Sequence, residues 1–106
     1  MILSMTYLMR CWVMLSIKAK NQFKKDLQKA SRDAKKDTER LKVLINDYLV
    51  QGIPIPKQYK PHLLTENWKP HMECHIQPDF LLIWDINSAN NELILVRCGT
   101  HAELFG

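Results

Sequence analysis

The sequence predicts an α+β fold of order β-α-α-β-β-β, with an antiparallel sheet packed against a helical hairpin. Three observations carry that prediction. Apolar residues recur at helical spacing in two consecutive blocks, Phe23, Leu27 and Ala30, then Leu41, Leu44, Ile45, Tyr48 and Leu49. The C-terminal half instead holds short apolar runs bounded by turn residues, above all FLLIWDI at 80–86. And 106 residues suffice for one domain with one modest core, while 46% hydrophobic and 25% charged residues exclude a disordered chain.

Taken in order, Leu15, Ile17 and Ala19 alternate with Ser16, Lys18 and Lys20, which predicts a short half-buried strand. The first helix follows, with Lys24, Lys25 and Lys29 opposite its apolar stripe. Its register breaks between Ser31 and Asp37. The second helix runs to about Val50, where Gly52 stops it and Pro54 and Pro56 forbid continuation. Residues 53–66 read as a connecting loop that carries His62. A strand over 68–76, a tight turn at Gln77-Pro78-Asp79, a buried central strand over 80–86, a turn over 87–91 and a last strand over 92–98 complete the order. Gly99 opens an irregular tail. No internal repeat, linker or low-complexity run is present.

Residues 1–13 are set apart as an N-terminal extension, and the domain proper is expected over 14–106. The opening stretch MILSMTYLMRCWVML is apolar, but it is interrupted by Arg10 and shorter than the roughly 20 residues a membrane span needs. It also lacks the pattern of a signal peptide. Four of the five methionines lie here, which favours Met14 as the true start. No membrane association is expected. Three cysteines, Cys11, Cys74 and Cys98, make no disulfide framework and suit a reducing cytoplasm.

Charge is unevenly placed. Residues 14–61 hold twelve basic and five acidic side chains, residues 62–106 two basic and six acidic, and Arg10 completes the net +4. A basic first half suits a polyanionic partner such as RNA or the ribosome, although lysine-rich outer helix faces are also ordinary solvated surface.

The chemistry-bearing residues fall in the last 45 positions: His62, His75, Asp79, Arg97, His101 and Phe105. Imidazoles titrate near neutral pH and can take or give a proton. A carboxylate and a guanidinium beside them add a fixed base and a phosphate clamp. That set suits metal-free acid–base cleavage of RNA, with the ribose 2′-hydroxyl as nucleophile. His101, in a tail where no core requires an imidazole, is the candidate general acid. Arg97 stands in an otherwise apolar strand, so it must be paired or face a site. Asp79 suits a turn cap as well as a base, and His75 a structural hydrogen bond as well as catalysis. His62 suits phosphate positioning or simple exposure, and Phe105 a hydrophobic plug or a base-stacking platform. His71-x₂-Cys74 and Cys98-x₂-His101 imitate zinc half-sites, but residues three apart on a strand point to opposite faces. Neither metal nor cofactor is expected.

The segments LSIKAKNQFKKDLQKA, IPIPKQYKPHLL, NWKPHMECHIQPDFLLIW and LVRCGTHAELFG resemble the YafQ-type toxins of bacterial toxin–antitoxin pairs, within the RelE/ParE superfamily. The resemblance covers the chain from Leu15 onward, with ECHIQPD and GTHAELF its most specific parts. It implies a small RelE-like fold and an endoribonuclease that cuts mRNA on the ribosome. It also implies a cognate antitoxin, with operator DNA reached only through that antitoxin. The family's catalytic pattern falls on His62, His75, Asp79, Arg97 and His101, with Asp79 as base or as orienter of His75, and with Phe105, Phe80 and Lys69 as substrate contacts. Two positions depart from the family's pattern: Asn67 replaces a common Gly, and Met72 replaces an Arg, removing one cation. A ParE-like gyrase poison, or a catalytically impaired RNA-binding relative, are the alternatives. Four histidines after residue 61 speak against the former.

Overall fold

The computed structural model describes residues 14–64 and 71–106. Its elements are β1 (Ser16–Ala19), α1 (Asn21–Ser31), α2 (Thr38–Val43), which widens into a π-helical turn over Leu44–Leu49, a 3₁₀ turn (Lys57–Tyr59), β2 (His62–Leu63), β3 (Met72–Gln77), β4 (Phe80–Asn87), β5 (Glu92–Gly99) and α3 (His101–Phe105). They build one five-stranded sheet of order β1-β5-β4-β3-β2. The N-terminal extension lies outside the described residues, as do Asn67, Trp68 and Lys69.

The α+β order expected from the sequence is present, with three refinements. The hairpins β3–β4 and β4–β5 are antiparallel, but β1 joins β5 in parallel, Ser16 opposite Glu92 through Ala19 opposite Leu95. A short turn forces antiparallel pairing on consecutive strands, whereas no such turn ties β1 to its neighbour. The expected loop over 53–66 contains a two-residue strand, β2, paired with β3. The expected irregular tail is instead a capped helix, α3.

Alternation along β4 divides the interior in two. Phe80, Leu82 and Trp84 face the helices and pack with Phe23, Ala30, Leu41, Leu44, Ile45 and Leu49. Leu81 and Ile83 face the other way and pack with Val96 and with Leu104 of α3. Each helical stripe read from the sequence is inward, with Leu27 and Tyr48 half-buried at its margin. In β1 the alternation is weaker: Leu15 and Ala19 pack on the core, while Ile17 is 48% exposed.

α2 starts where Asp37 caps it, its side chain accepting from the Arg40 N–H at 2.9 Å. Its last turn is wide, with the Val50 N–H donating to the Ile45 carbonyl at 2.9 Å. Gly52 then takes a left-handed φ of 71° and turns the chain toward the sheet. Between the helices, Gln77 at the end of β3 clasps the connection. Its Oε1 accepts from the Asp37 N–H at 2.8 Å and its Nε2 donates to the Lys35 carbonyl at 3.1 Å. The turn at Pro78-Asp79 is thereby fixed to the helical pair.

Candidate active site

Strand register places the first residues of the site. His62 of β2 stands opposite Glu73 of β3, and His75 follows two residues later on the same face of the strand. The β3–β4 turn then presents Asp79, and α3, leaving the end of β5, presents His101 and Phe105 one helical turn apart. The result is a row of rings, His62, His75, His101 and Phe105, with successive centroid separations of 6.0, 5.6 and 6.5 Å. A carboxylate stands near each end of the imidazoles, Glu73 beside His62 and Asp79 beside His101.

Asp79 and His101 make the closest pair. Asp79 Oδ1 accepts from the His101 backbone N–H at 2.9 Å and lies 2.6 Å from the ring Nδ1. A carboxylate in this state only accepts, so Nδ1 carries a proton and Nε2 is left for chemistry. These bonds, the backbone one foremost, hold the Asp79 carboxyl below the usual range, so it stays ionised. Asp79 therefore both ties the turn to α3 and orients the imidazole.

A second carboxylate anchors α3 from the helical side. Glu103 Oε2 lies 2.6 Å from Lys29 Nζ, and its Oε1 lies 3.0 Å from Lys36 Nζ and accepts from the Thr100 N–H at 2.8 Å. Thr100 in turn accepts from the Glu103 N–H at 3.1 Å, a reciprocal cap. Lys29 foremost, then the Thr100 amide and Lys36, bring the Glu103 carboxyl down to about 2. Gly99 makes room for this: a Cβ there would lie 2.8 Å from Glu103 Oε1, on a backbone with φ of +155°.

Of the residues singled out in the sequence, His62, His75, Asp79, His101 and Phe105 come together. Arg97 and Phe80 do not. Past the end of β1, the open edge of β5 is met by Asp26 of α1, whose Oδ2 accepts from the Cys98 N–H at 3.2 Å. The same carboxylate takes Arg97 in a two-pronged pair, 2.6 Å to Nε and 3.2 Å to Nη2. Arg97 is thus paired rather than directed at the imidazoles, the structural branch of the choice its apolar strand posed. Phe80, expected to touch substrate, is 1% exposed in the helical core, because the even positions of β4 face the helices. Lys69 lies outside the described residues.

Cys74 and Cys98 belong to the same core, where burial pushes both thiols up to about 12. Alternation along β3 buries Cys74 and turns its neighbour His75 to the opposite face.

Glu73 is the functional candidate that sequence reasoning missed. It is 4% exposed, its Oε1 lies 3.0 Å from His62 Nε2 and 3.6 Å from His75 Nε2, and its Oε2 has no hydrogen-bond partner among the described residues. Leaving a buried charged oxygen unpaired costs about 1–3 kcal/mol or more. Its position two residues before His75 on a strand was the available signal. The Thr100-x-x-Glu103 spacing likewise announces the start of α3.

Beside His75 an open groove of about 600 Å³ is lined by Arg40, Tyr59, Lys60, Gln77 and Pro78. Two cations and an aromatic ring in such a groove can hold a phosphate and a base.

The chain is similar to known proteins of one family. The family model described as the bacterial toxin of type II toxin–antitoxin system, YafQ, matches residues 15–106. The mRNA interferase toxin YafQ of Escherichia coli (strain B / BL21-DE3) is 37% identical over 90 residues, spanning 85% of this chain and 95% of the relative. The crystal structure of the E. coli DinJ–YafQ complex superposes with a TM-score of 0.75 at 36% identity, covering 87% of this chain and 99% of that one. A metal-bound toxin from Helicobacter pylori gives a TM-score of 0.79 at 37% identity, with 87% and 100% covered. Among the described residues no helix is long and apolar enough to cross a membrane. The chain belongs to the YafQ toxins of bacterial type II toxin–antitoxin systems.

Proposed function

We propose that this chain is an endoribonuclease toxin that cleaves mRNA on the translating ribosome in the cytoplasm, without metal, and is silenced by a cognate antitoxin. The ribose 2′-hydroxyl attacks the adjacent phosphate, the 5′-oxygen leaves, and the products carry a 2′,3′-cyclic or 3′-phosphate and a 5′-hydroxyl. The observation that carries this reading is the His101–Asp79 pair standing 5.6 Å, ring to ring, from His75.

His101 protonates the leaving 5′-oxygen through Nε2, with Asp79 holding the ring by its Nδ1. His75 takes the proton of the 2′-hydroxyl. Each such positioned group contributes about 10²–10⁴-fold in rate. Phe105, half exposed beside His101, stacks on an unpaired base. Arg40 and Lys60 in the neighbouring groove supply the cationic charge that Arg97, paired with Asp26, does not. The gyrase-poison and impaired-binder alternatives leave this converging set without a use, and relatives spanning nearly the whole domain are named mRNA interferases.

Expression of the chain with mapping of transcript ends tests the proposal. Wild type yields new in-frame cuts in translated mRNA and His101→Ala yields none. Unchanged cutting by His101→Ala, or growth arrest with intact transcripts and altered DNA supercoiling, overturns it.

A further inference from the structure

We propose that the cavity between the α1–α2 connection and the β3–β4 turn is the subsite for the RNA nucleotide that follows the cut, with Lys35 holding the phosphate on its 3′ side. The inference rests on the nuclease reading above and adds the direction in which RNA crosses the site. The cavity holds about 320 Å³, and Asp33, Lys35, Lys36, Asp79 and Thr100 bring polar groups to its wall. Ligand pockets begin at about 300 Å³.

Position gives the polarity. Gln77 and Pro78 line both this cavity and the groove beside His75, so the β3–β4 turn stands between the two. His75 borders the groove, whereas Asp79, which holds His101, borders the cavity. His75 takes its proton from the ribose before the cut, and His101 gives its proton to the 5′-oxygen of the nucleotide after it. An RNA strand crossing the turn therefore leaves its upstream nucleotide in the groove and its downstream nucleotide in the cavity.

The two lysines of the cavity differ. Lys36 has a side chain only 10% exposed and is engaged, with Nζ 3.0 Å from Glu103 Oε1. Lys35 is exposed, and its ammonium enters none of the ion pairs among the described residues. Its backbone is fixed on both sides: the amide donates to Asp33 Oδ1 at 3.0 Å, and the carbonyl accepts from Gln77 Nε2 at 3.1 Å. A fixed stem loses less conformational freedom when the ammonium takes a phosphate. The Thr100 oxygen accepts from the Glu103 N–H, which leaves the hydroxyl proton to donate to the ligand. The Asp33 and Asp79 carboxylates repel phosphate but accept from a ribose hydroxyl, so the sugar faces them and the phosphate faces Lys35.

The test uses programmed ribosome complexes in which neutral methylphosphonates replace phosphodiesters one at a time along the codon presented to the toxin. Binding is measured on messages made 2′-deoxy through that codon, which removes the nucleophile, and single-turnover cleavage on the all-ribose messages. Neutralising the phosphate one step downstream of the scissile one is expected to weaken wild-type binding about tenfold. Lys35→Ala should weaken binding of the ordinary message equally, and the two changes together should cost no more than either alone. At saturation the cleavage rate stays at the wild-type value, and Lys35→Arg, which keeps the cation, retains binding. Lys35 is exposed, so the melting midpoint of Lys35→Ala should match wild type. Losses that multiply at every phosphate, coupling of Lys35 to a phosphate upstream of the cut, or wild-type binding by Lys35→Ala overturns the subsite. Normal cleavage by wild type without the downstream coupling sinks the subsite and leaves the nuclease reading standing. Coupling of Lys35 to a phosphate in a message that wild type never cuts keeps the contact and sinks the nuclease reading.

Discussion

Asp79 holds His101 at two points with a single oxygen: Oδ1 accepts from the His101 amide at 2.9 Å and meets its ring Nδ1 at 2.6 Å. One carboxylate thus fixes both where the last helix begins and which ring nitrogen faces substrate. Asp79→Ala is expected to lower the cleavage rate constant about 10²-fold with little change in substrate affinity. The thermal midpoint should barely move, since the Asp79 side chain is largely exposed. Single-turnover cleavage and a thermal melt on the same sample check both halves.

Arg97 separates a structural role from a catalytic one. Its pair with Asp26 is mostly buried, so Arg97→Ala strands a carboxylate and should destabilise the domain by about 2–3 kcal/mol. The Asp26→Ala/Arg97→Ala double variant should lose less than the sum of the two single losses. Denaturant unfolding of the four proteins measures this coupling. Full stability of Arg97→Ala combined with abolished cleavage would return the arginine to the scissile phosphate.

The Glu103 anchor makes stability depend on pH. Its carboxyl is held at about 2 against an ordinary 4.5, so its contribution is present above pH 4.5 and disappears as the pH falls toward 2. Glu103→Gln should cost about 1–2 kcal/mol at pH 7. Melts at a series of pH values should show the wild-type and variant curves converging below pH 4. Gly99→Ala attacks the same anchor sterically, since its Cβ meets Glu103 Oε1, and should lower both stability and cleavage.

Phe105 is 46% exposed beside His101. If it stacks on a base, Phe105→Ala loses about 1–3 kcal/mol of RNA binding, roughly tenfold or more in KM, with the fold intact. Phe105→Trp should keep most of that affinity. A KM unchanged in Phe105→Ala, with a lowered melting midpoint, would mark the ring as a plug.

What could be read from the sequence follows a physical divide. Features set by local pattern were legible: the stripes Phe23–Leu27–Ala30 and Leu41–Leu44–Ile45, the buried run 80–86, and the Gly52 stop. Relationships set by tertiary pairing were not. The direction of β1 depends on a neighbour 76 positions away, Ser16 opposite Glu92. Arg97 and Asp26 meet only because α1 reaches the open edge of β5. Phe80 carried the same apolar signal whether core or platform, and strand parity settled it as core. Glu73 went unnoticed because a glutamate on a half-buried strand looks like surface until β2 covers it with His62.

The most direct measurement of the central claim is the single-turnover cleavage rate of a programmed ribosome complex by wild type and His101→Gln, both freed of metal by chelation. The proposed chemistry predicts a wild-type product ending in a 2′,3′-cyclic or 3′-phosphate and a rate lowered at least about 10²-fold in the variant. Equal rates for the two proteins, or a wild-type product bearing a 3′-hydroxyl, would contradict it.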